Sequence, residues 1–459
     1  MNSIANDPNR NLNPYQQYIH KSRYSKWLDD KGRREDFTET VDRYVDFMYN
    51  SLEERFSDRN LDKLKEMRPK IREHILNQGV MPSMRAVMSA GPALSRDNTC
   101  GYNCSYLPVD SIESFDEAMF ILMCGTGVGF SVERQYINKL PIVPENLTEG
   151  GDPIVVEDSK EGWATALRIF LMRAFNEGIV SELDTSKVRE KGARLKTFGG
   201  RASGPQPFKD LIAFCTKILK ASKGRKLNSI ECHDIMCKIG DIVVVGGVRR
   251  SAMISLSNLS DQRMRDAKNG MWYSDNPQRA LSNNSVSYTE NPDVGSFMSE
   301  WFALYMSKSG ERGIFNRVAA KNQAGKTGRR DTSHEFGTNP CSEIILRPYQ
   351  FCNLTEVVAR HGDTEGDLME KVAIASVLGT IQATLTEFPY LRSIWKTNTE
   401  EENLLGVSLT GIMDHPLLSK TSPETAALLE KLKTFAIEVN KQVSDDLGVN
   451  QSTAITCVN

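Results

Sequence analysis

The sequence predicts an α/β fold behind a small helical N-terminal region. Three observations carry this expectation. Apolar residues near the start recur at spacings of three and four, short apolar runs alternate with helical stretches from about residue 81, and glycine-rich turns separate them. The chain is therefore divided into residues 1–80, helical, and residues 81–459, α/β.

Residues 1–35 are polar and rich in Asn, Arg and Asp, and read as mostly irregular. Phe37, Val41, Tyr44, Val45, Met48 and Leu52 then fall on one helix face. A second helix covers Leu61 to Leu76 and ends near Gly79, with Pro82 beyond it. Further on, helices are expected over Phe115 to Met123, Trp163 to Phe175, Ile230 to Ile239, Phe297 to Met306 and Asp367 to Phe388. The run Gly125-Thr126-Gly127-Val128-Gly129 reads as a glycine turn, residues 184–210 as a basic loop, and Ile242 to Val245 as a buried strand turning at Gly246-Gly247.

Composition excludes several classes. With net charge −2, 39% apolar and 25% charged residues, the chain reads as an ordinary globular protein without a polybasic nucleic-acid surface. Any nucleotide would sit in a local pocket. The longest apolar runs are too short to span a bilayer, and the polar start MNSIANDPNRNLNPYQQY lacks the apolar core of a signal peptide. A cytoplasmic location and no membrane partner are expected. Nine cysteines are then core residues, metal ligands or redox thiols. Cys232, His233 and Cys237 supply only three neighbouring ligands, so no metal site is expected.

The central feature is Asn339-Pro340-Cys341-Ser342-Glu343. Pro340 disfavours helix at Asn339 and suggests a tight loop. In an extended loop Cys341 and Glu343, two apart, would face one ligand with a thiol and a carboxylate. Such a pair suits sulfur-centred chemistry with an adjacent acid/base.

In the setting TNPCSEI, this segment resembles the active-site loop of the ribonucleotide reductases. Phe351-Cys352-Asn353-Leu354 and Cys104 in GYNCSYLPVDS are similar to the strands that carry the family's two reducing cysteines. The eleven-residue step from Cys341 to Cys352 is similar to that of the adenosylcobalamin-dependent, class II type. The resemblance continues through MPSMRAVMSAGPAL, GTGVGFSVERQ, GARLKTFGGRASGP, GGVRRSAMISLS and LLGVSLTGIMD, and so covers nearly all of the chain after residue 80.

The resemblance implies a ten-stranded α/β barrel of two half-barrels and a set of roles. Cys341 would carry a thiyl radical, Glu343 would take a proton from the ribose 3′-hydroxyl, and Asn339 would orient the sugar. Cys104 and Cys352 would form the redox-active pair. Ser83, Asn103, Gly127 and Ser342 would contact substrate, with Gly125, Gly127 and Gly129 letting backbone approach it. Asp110, Arg249 and Arg250 would hold an effector, a deoxynucleotide or ATP. Taken bare, Asp110 or Ser111 reads as a cap of the following helix, and the arginines as solvated surface. Substrates would be ribonucleotides, as triphosphates; the cofactor would be adenosylcobalamin, or else a radical from a separate metal-containing subunit. A thioredoxin or glutaredoxin-like dithiol would restore the cysteines, and a homodimer is allowed.

Two departures from the family pattern bear on these expectations. No separate ATP-binding activity domain is visible before the helical region. The chain also stops at residues 452–459, on a strand that in the family runs into a phosphate-binding loop, so the barrel is expected to be incomplete and a complementing C-terminal chain is one way to finish it. A non-catalytic nucleotide-binding fragment is the alternative.

Overall fold

In the computed structural model, which describes residues 12–193, 201–245 and 252–456, contacts group the chain into two units. One contains residues 1–103 and 351–459, the other residues 104–350. This grouping differs from the sequence division at residue 80, because the N-terminal helices find their apolar partners in the first unit.

In that unit, helix Phe37–Arg55 opens on a reciprocal cap between Asp36 and Glu39. It buries Phe37, Val41, Tyr44, Val45, Met48 and Leu52, the face that periodicity selects. It packs on helix Asp62–Leu76 and touches helix Glu365–Ala383. The N-terminal stretch is not irregular throughout. Helix Pro14–Arg23 starts on a reciprocal Asn13–Gln16 cap with Pro14 in its first turn, and strands Trp27–Leu28 and Arg33–Arg34 pair behind it. The sheet of this unit runs Val80–Met81, Leu354–Val358, Leu405–Thr410, Ile455–Thr456, parallel except at its first pair. Helix Glu365–Ala383 covers it and stops short of the expected Phe388. Thr384, Thr386 and Pro389 follow, and a residue before proline is poorly placed in a helix. Beyond that end, Phe351 stacks within 4.7 Å of Trp395 and 4.9 Å of Phe388, with Tyr102 at 5.2 Å.

The second unit is built on five parallel strands, side by side in the order Gly313–Asn316, Ser282–Tyr288, Met253–Asn258, Gly127–Ser131, Cys104–Pro108. Helix Glu113–Met123 links the last two in chain order and is buried from Ser114 to Met123. A long excursion separates Gly127–Ser131 from Met253–Asn258. It carries helices Lys160–Asn176, Gln206–Ala221 and Ser229–Val245 and two small strand pairs.

Two sequence expectations are corrected here. The glycine run is a turn only at Gly125 (φ +85°), and Gly127–Ser131 is a strand. Its glycines alternate with Val128 and Phe130, which is the strand period. Ile242 to Val245 are not a strand but the end of helix Ser229–Val245, in which Ile235, Ile239 and Ile242 lie on one buried face. A four-residue β-branched run cannot by itself separate the two states. Among the described residues no helix is long and apolar enough to cross a membrane.

Trp395 is fully buried in the aromatic cluster of the first unit. Trp395→Ala is expected to cost about 3–5 kcal/mol, read as a lowered urea midpoint at unchanged slope.

Candidate active site

The loop that carries Cys341 is the tip of a short hairpin, Gly337–Thr338 against Ile345–Leu346. Asn339 O accepts a hydrogen bond from Ser342 N–H at 3.0 Å, which closes a β-turn with Pro340 at its second position and Cys341 at its third. The loop is therefore turned rather than extended, and Ser342 (φ +69°) takes the left-handed conformation after the turn. Asn339 organises it further. Its Oδ1 accepts from Ile344 N–H at 2.9 Å and its backbone N–H donates to Ile344 O at 3.3 Å. Because Ile344 N–H needs an acceptor, Nδ2 is left to point outward, to Cys104 Sγ at 3.6 Å. Asn339 is fully buried, whereas Cys341 and Ser342 are exposed.

The hairpin lies directly on the strands Cys104–Pro108 and Gly127–Ser131, in register Cys104↔Gly127 and Tyr106↔Gly129. A Cβ on Gly129 would sit 1.8 Å from Thr338 O, and one on Gly127 2.8 Å from Pro340 Cγ. From the other side, a Cβ on Gly337 would fall 2.1 Å from the Tyr106 ring. At Gly127 and Gly129 the cysteine loop itself makes a close approach to the strand. Two arginines pin the hairpin. Arg317 Nε donates to Phe336 O at 2.6 Å while its terminal nitrogens grip Glu133 at 2.6 and 2.9 Å, all deeply buried. Arg330 donates to Ile345 O at 2.8 Å and lies over the Phe336 ring.

The electrostatics favour a protonated thiol. Partial burial, then the charges of Glu343 and Cys104, push the Cys341 thiol above the usual range. The Oε2 of Glu343 is buried and has no hydrogen-bond partner among the described residues. The arrangement thus joins an S–H, a carboxylate oxygen open to a donor, and a second thiol at Cys104.

The remaining expected site residues fall in two groups. In the first unit Ser83 caps helix Met84–Ser89 and donates to Asn103 Oδ1 at 2.9 Å, and Asn103 N–H donates to the carbonyl of buried Cys352 at 3.2 Å. In the second, Asp110 is held by the Tyr349 hydroxyl and by Lys139 at 3.5 Å. It is not a helix cap, nor is Ser111: the residue at the cap of Glu113–Met123 is Ile112, without a side-chain bond. Arg249 and Arg250 lie outside the described residues. Cys232, His233 and Cys237 are buried, with His233 Nε2 2.9 Å from Asn284 Oδ1, and among the described residues no group of three or more His, Cys, Asp or Glu is placed to hold a metal. Sequence reasoning missed Glu133, Arg317, Arg330, Tyr106 and Tyr349. Only Gly337, just before the loop, offered a signal.

Residues 149–219 match the family model described as the insertion domain of B12-dependent ribonucleotide reductase. The chain is 29% identical to an adenosylcobalamin-dependent ribonucleoside-triphosphate reductase of Lactobacillus delbrueckii subsp. bulgaricus, over 96% of this chain and 70% of the relative. It is 27% identical to a protein of the same name from Euglena gracilis, over 94% and 60%. A solved B12-dependent (class II) ribonucleotide reductase superposes with TM-score 0.79 at 25% identity, covering 96% of this chain and 72% of that one. The α subunit of a class Id ribonucleotide reductase from Actinobacillus ureae (TM-score 0.54, 11% identity) shares the fold. In sequence and fold the chain is similar to the class II ribonucleotide reductases.

Two expectations follow from the geometry. The Cys341 thiol is protonated below its raised pKa and ionises only as pH rises through it. Its alkylation by iodoacetamide should therefore accelerate at higher pH than that of a free thiol, and Glu343→Gln should move the midpoint down; mass mapping of the labelled peptide reads both. Gly129→Ala must displace Thr338. It should cost about 1–3 kcal/mol of stability and, by misplacing Cys341, on the order of 100-fold in turnover, measured by urea unfolding and product formation.

Proposed function

We propose that this chain, as a relative of the class II ribonucleotide reductases, reduces ribonucleoside triphosphates to 2′-deoxyribonucleoside triphosphates with adenosylcobalamin as radical source. The observation that carries the reading is a thiol, Cys341, presented at a braced turn, kept protonated, and joined through Asn339 to a second thiol, Cys104. A thiolate would serve as a nucleophile. An S–H serves hydrogen-atom exchange, which is the chemistry the family's motif implies.

Adenosylcobalamin, when bound, supplies the radical chemistry. The residues present fit it at the reacting end, where exposed Cys341 and Ser342 would face it. The chain's own residues then act as follows. Cys341, as a thiyl, takes the 3′-hydrogen of the ribose and later returns it. Glu343 Oε2 accepts the proton of the 3′-hydroxyl, and the 2′-hydroxyl leaves as water. Cys104 and Cys352 give two electrons and two protons and become a disulfide. One ribonucleotide and two thiols thus yield one deoxyribonucleotide, one disulfide and one water. A dithiol protein of the thioredoxin or glutaredoxin kind reopens the disulfide by exchange.

Asn339 acts chiefly by shaping the loop, and its Nδ2 is the part left for the sugar. Ser83, Asn103, Gly127 and Ser342 contact substrate through hydroxyl, amide and backbone groups. Asp110, oriented by Tyr349 and Lys139, holds the effector nucleotide together with Arg249 and Arg250.

Incubation with ribonucleoside triphosphate, adenosylcobalamin and a dithiol should yield deoxyribonucleotide. Cys341→Ala should abolish product while leaving nucleotide binding, followed by equilibrium dialysis, within about twofold. Unchanged turnover in Cys341→Ala would rule the radical thiol out.

A further inference from the structure

Helix Met84–Ser89 ends under charge. Its last carbonyls, Val87 O and Ala90 O, belong to buried residues and find two cations from the start of the chain. Val87 O accepts from Arg43 Nη1 at 2.9 Å. Ala90 O accepts from the same nitrogen at 3.0 Å and from the Lys26 ammonium. Positive charge at this end of a helix also meets the pole that favours it. The two cations are held from behind by buried Glu35. Its carboxylate grips Arg43 at 2.7 and 3.0 Å and accepts from the Lys26 backbone N–H at 3.1 Å and the Thr40 hydroxyl at 2.9 Å. Gly91 follows Ala90 at φ +104°, and a Cβ there would stand 3.2 Å from Lys26 Nζ. Glycine leaves the ammonium its room.

The other end of this helix is Ser83, whose hydroxyl lies 2.9 Å from Asn103 Oδ1 and 3.1 Å from Gly101 O. The helix has 6 residues, too few to bend, so whatever holds its last carbonyls also sets where Ser83 stands. We propose that Lys26 and Arg43 are positioning residues for the substrate: by clamping the far end of helix Met84–Ser89 they hold Ser83 where the ribonucleotide meets it. This rests on the reading of Ser83 as a substrate contact. The clamp also gives binding a pH dependence. Burial, then the Arg43 charge, lower the Lys26 pKa to about 8. The ammonium is intact near neutrality and is lost as pH rises through that value. A neutral amine still donates to Ala90 O, but a charge-assisted bond is roughly twice as strong. The groups facing Lys26 are Arg43, Glu35 and the Cys100 thiol. Around Glu35 lie Lys21, which donates to its carbonyl at 3.0 Å, and His20, 2.8 Å from Thr40 Oγ1. Arg43 keeps its charge throughout, and His20, held to about 4 by burial and Lys21, stays neutral.

Equilibrium dialysis of the full chain against cytidine triphosphate, at about pH 7 and about pH 9 on either side of the Lys26 transition, tests this. Native affinity should fall about fivefold between the two as the charge-assisted bond is lost. Lys26→Arg, which stays charged, should bind equally at both. Lys26→Met should already bind at neutral pH as weakly as the native chain does at high pH, with unchanged circular dichroism. Cys100→Ser should keep the native profile, which assigns the transition to the amine rather than the thiol. In turnover, Lys26→Met should raise KM and leave kcat within about twofold, the mark of lost uniform binding. Native affinity that is flat with pH overturns the proposal. So does a Lys26→Arg chain that still weakens at high pH, or a Lys26→Met chain that binds like the native one. A native chain that binds no ribonucleotide at either pH overturns the reading of Ser83 as well.

Discussion

The site depends on one steric constraint: a hairpin laid so closely on a sheet that three positions of the contact have no room for a side chain. Three glycines make this contact possible, Gly127 and Gly129 below and Gly337 above, and any Cβ there would meet backbone or ring atoms inside van der Waals distance. The contact alone would not fix the hairpin along the sheet. That is done by Arg317, whose charge is held by Glu133 in the interior while its remaining donor takes the Phe336 carbonyl. A buried ion pair adds little net stability. Its contribution here is direction, because a planar guanidinium bound on one side to a carboxylate has only one way left to point.

On this rigid base the chemistry needs few parts. Cys341 projects from a turn whose backbone is satisfied internally through Asn339, so the thiol is placed without being enclosed. The nearby Glu343 and Cys104 both oppose its ionisation. A carboxylate that suppresses a thiolate and is itself short of a donor suits a ligand that brings a hydroxyl. The same two side chains set the protonation state of the thiol and select what approaches it.

Much of this was legible in the sequence, unevenly so. The motif around Cys341 and the strands of Cys104 and Cys352 were visible through the family resemblance, which short contiguous segments of the chain carry. The helix face from Phe37 to Leu52 was visible because periodicity is local too. What escaped depended on distant partners. Arg317 and Glu133 are 184 positions apart, and Tyr349 and Asp110 239 apart, so neither pair announces itself. Gly127 and Gly129 were noticed for the right property, absence of a side chain, and the cysteine loop lies against both. Ile242 to Val245 misled because β-branching in a short run fits a buried helix end as well as a strand.

The strand Gly127–Ser131 spends two of its five positions on glycine, which gives it weak strand tendency of its own. It is held straight by pairing on both sides, to Cys104–Pro108 and to Met253–Asn258. The second of these neighbours carries no reactive group, yet it guards the flatness of the floor under Cys341. Damage to that silent strand would therefore surface as a chemical defect before it surfaced as unfolding, and a survey of inactive variants would find some of them well away from any thiol.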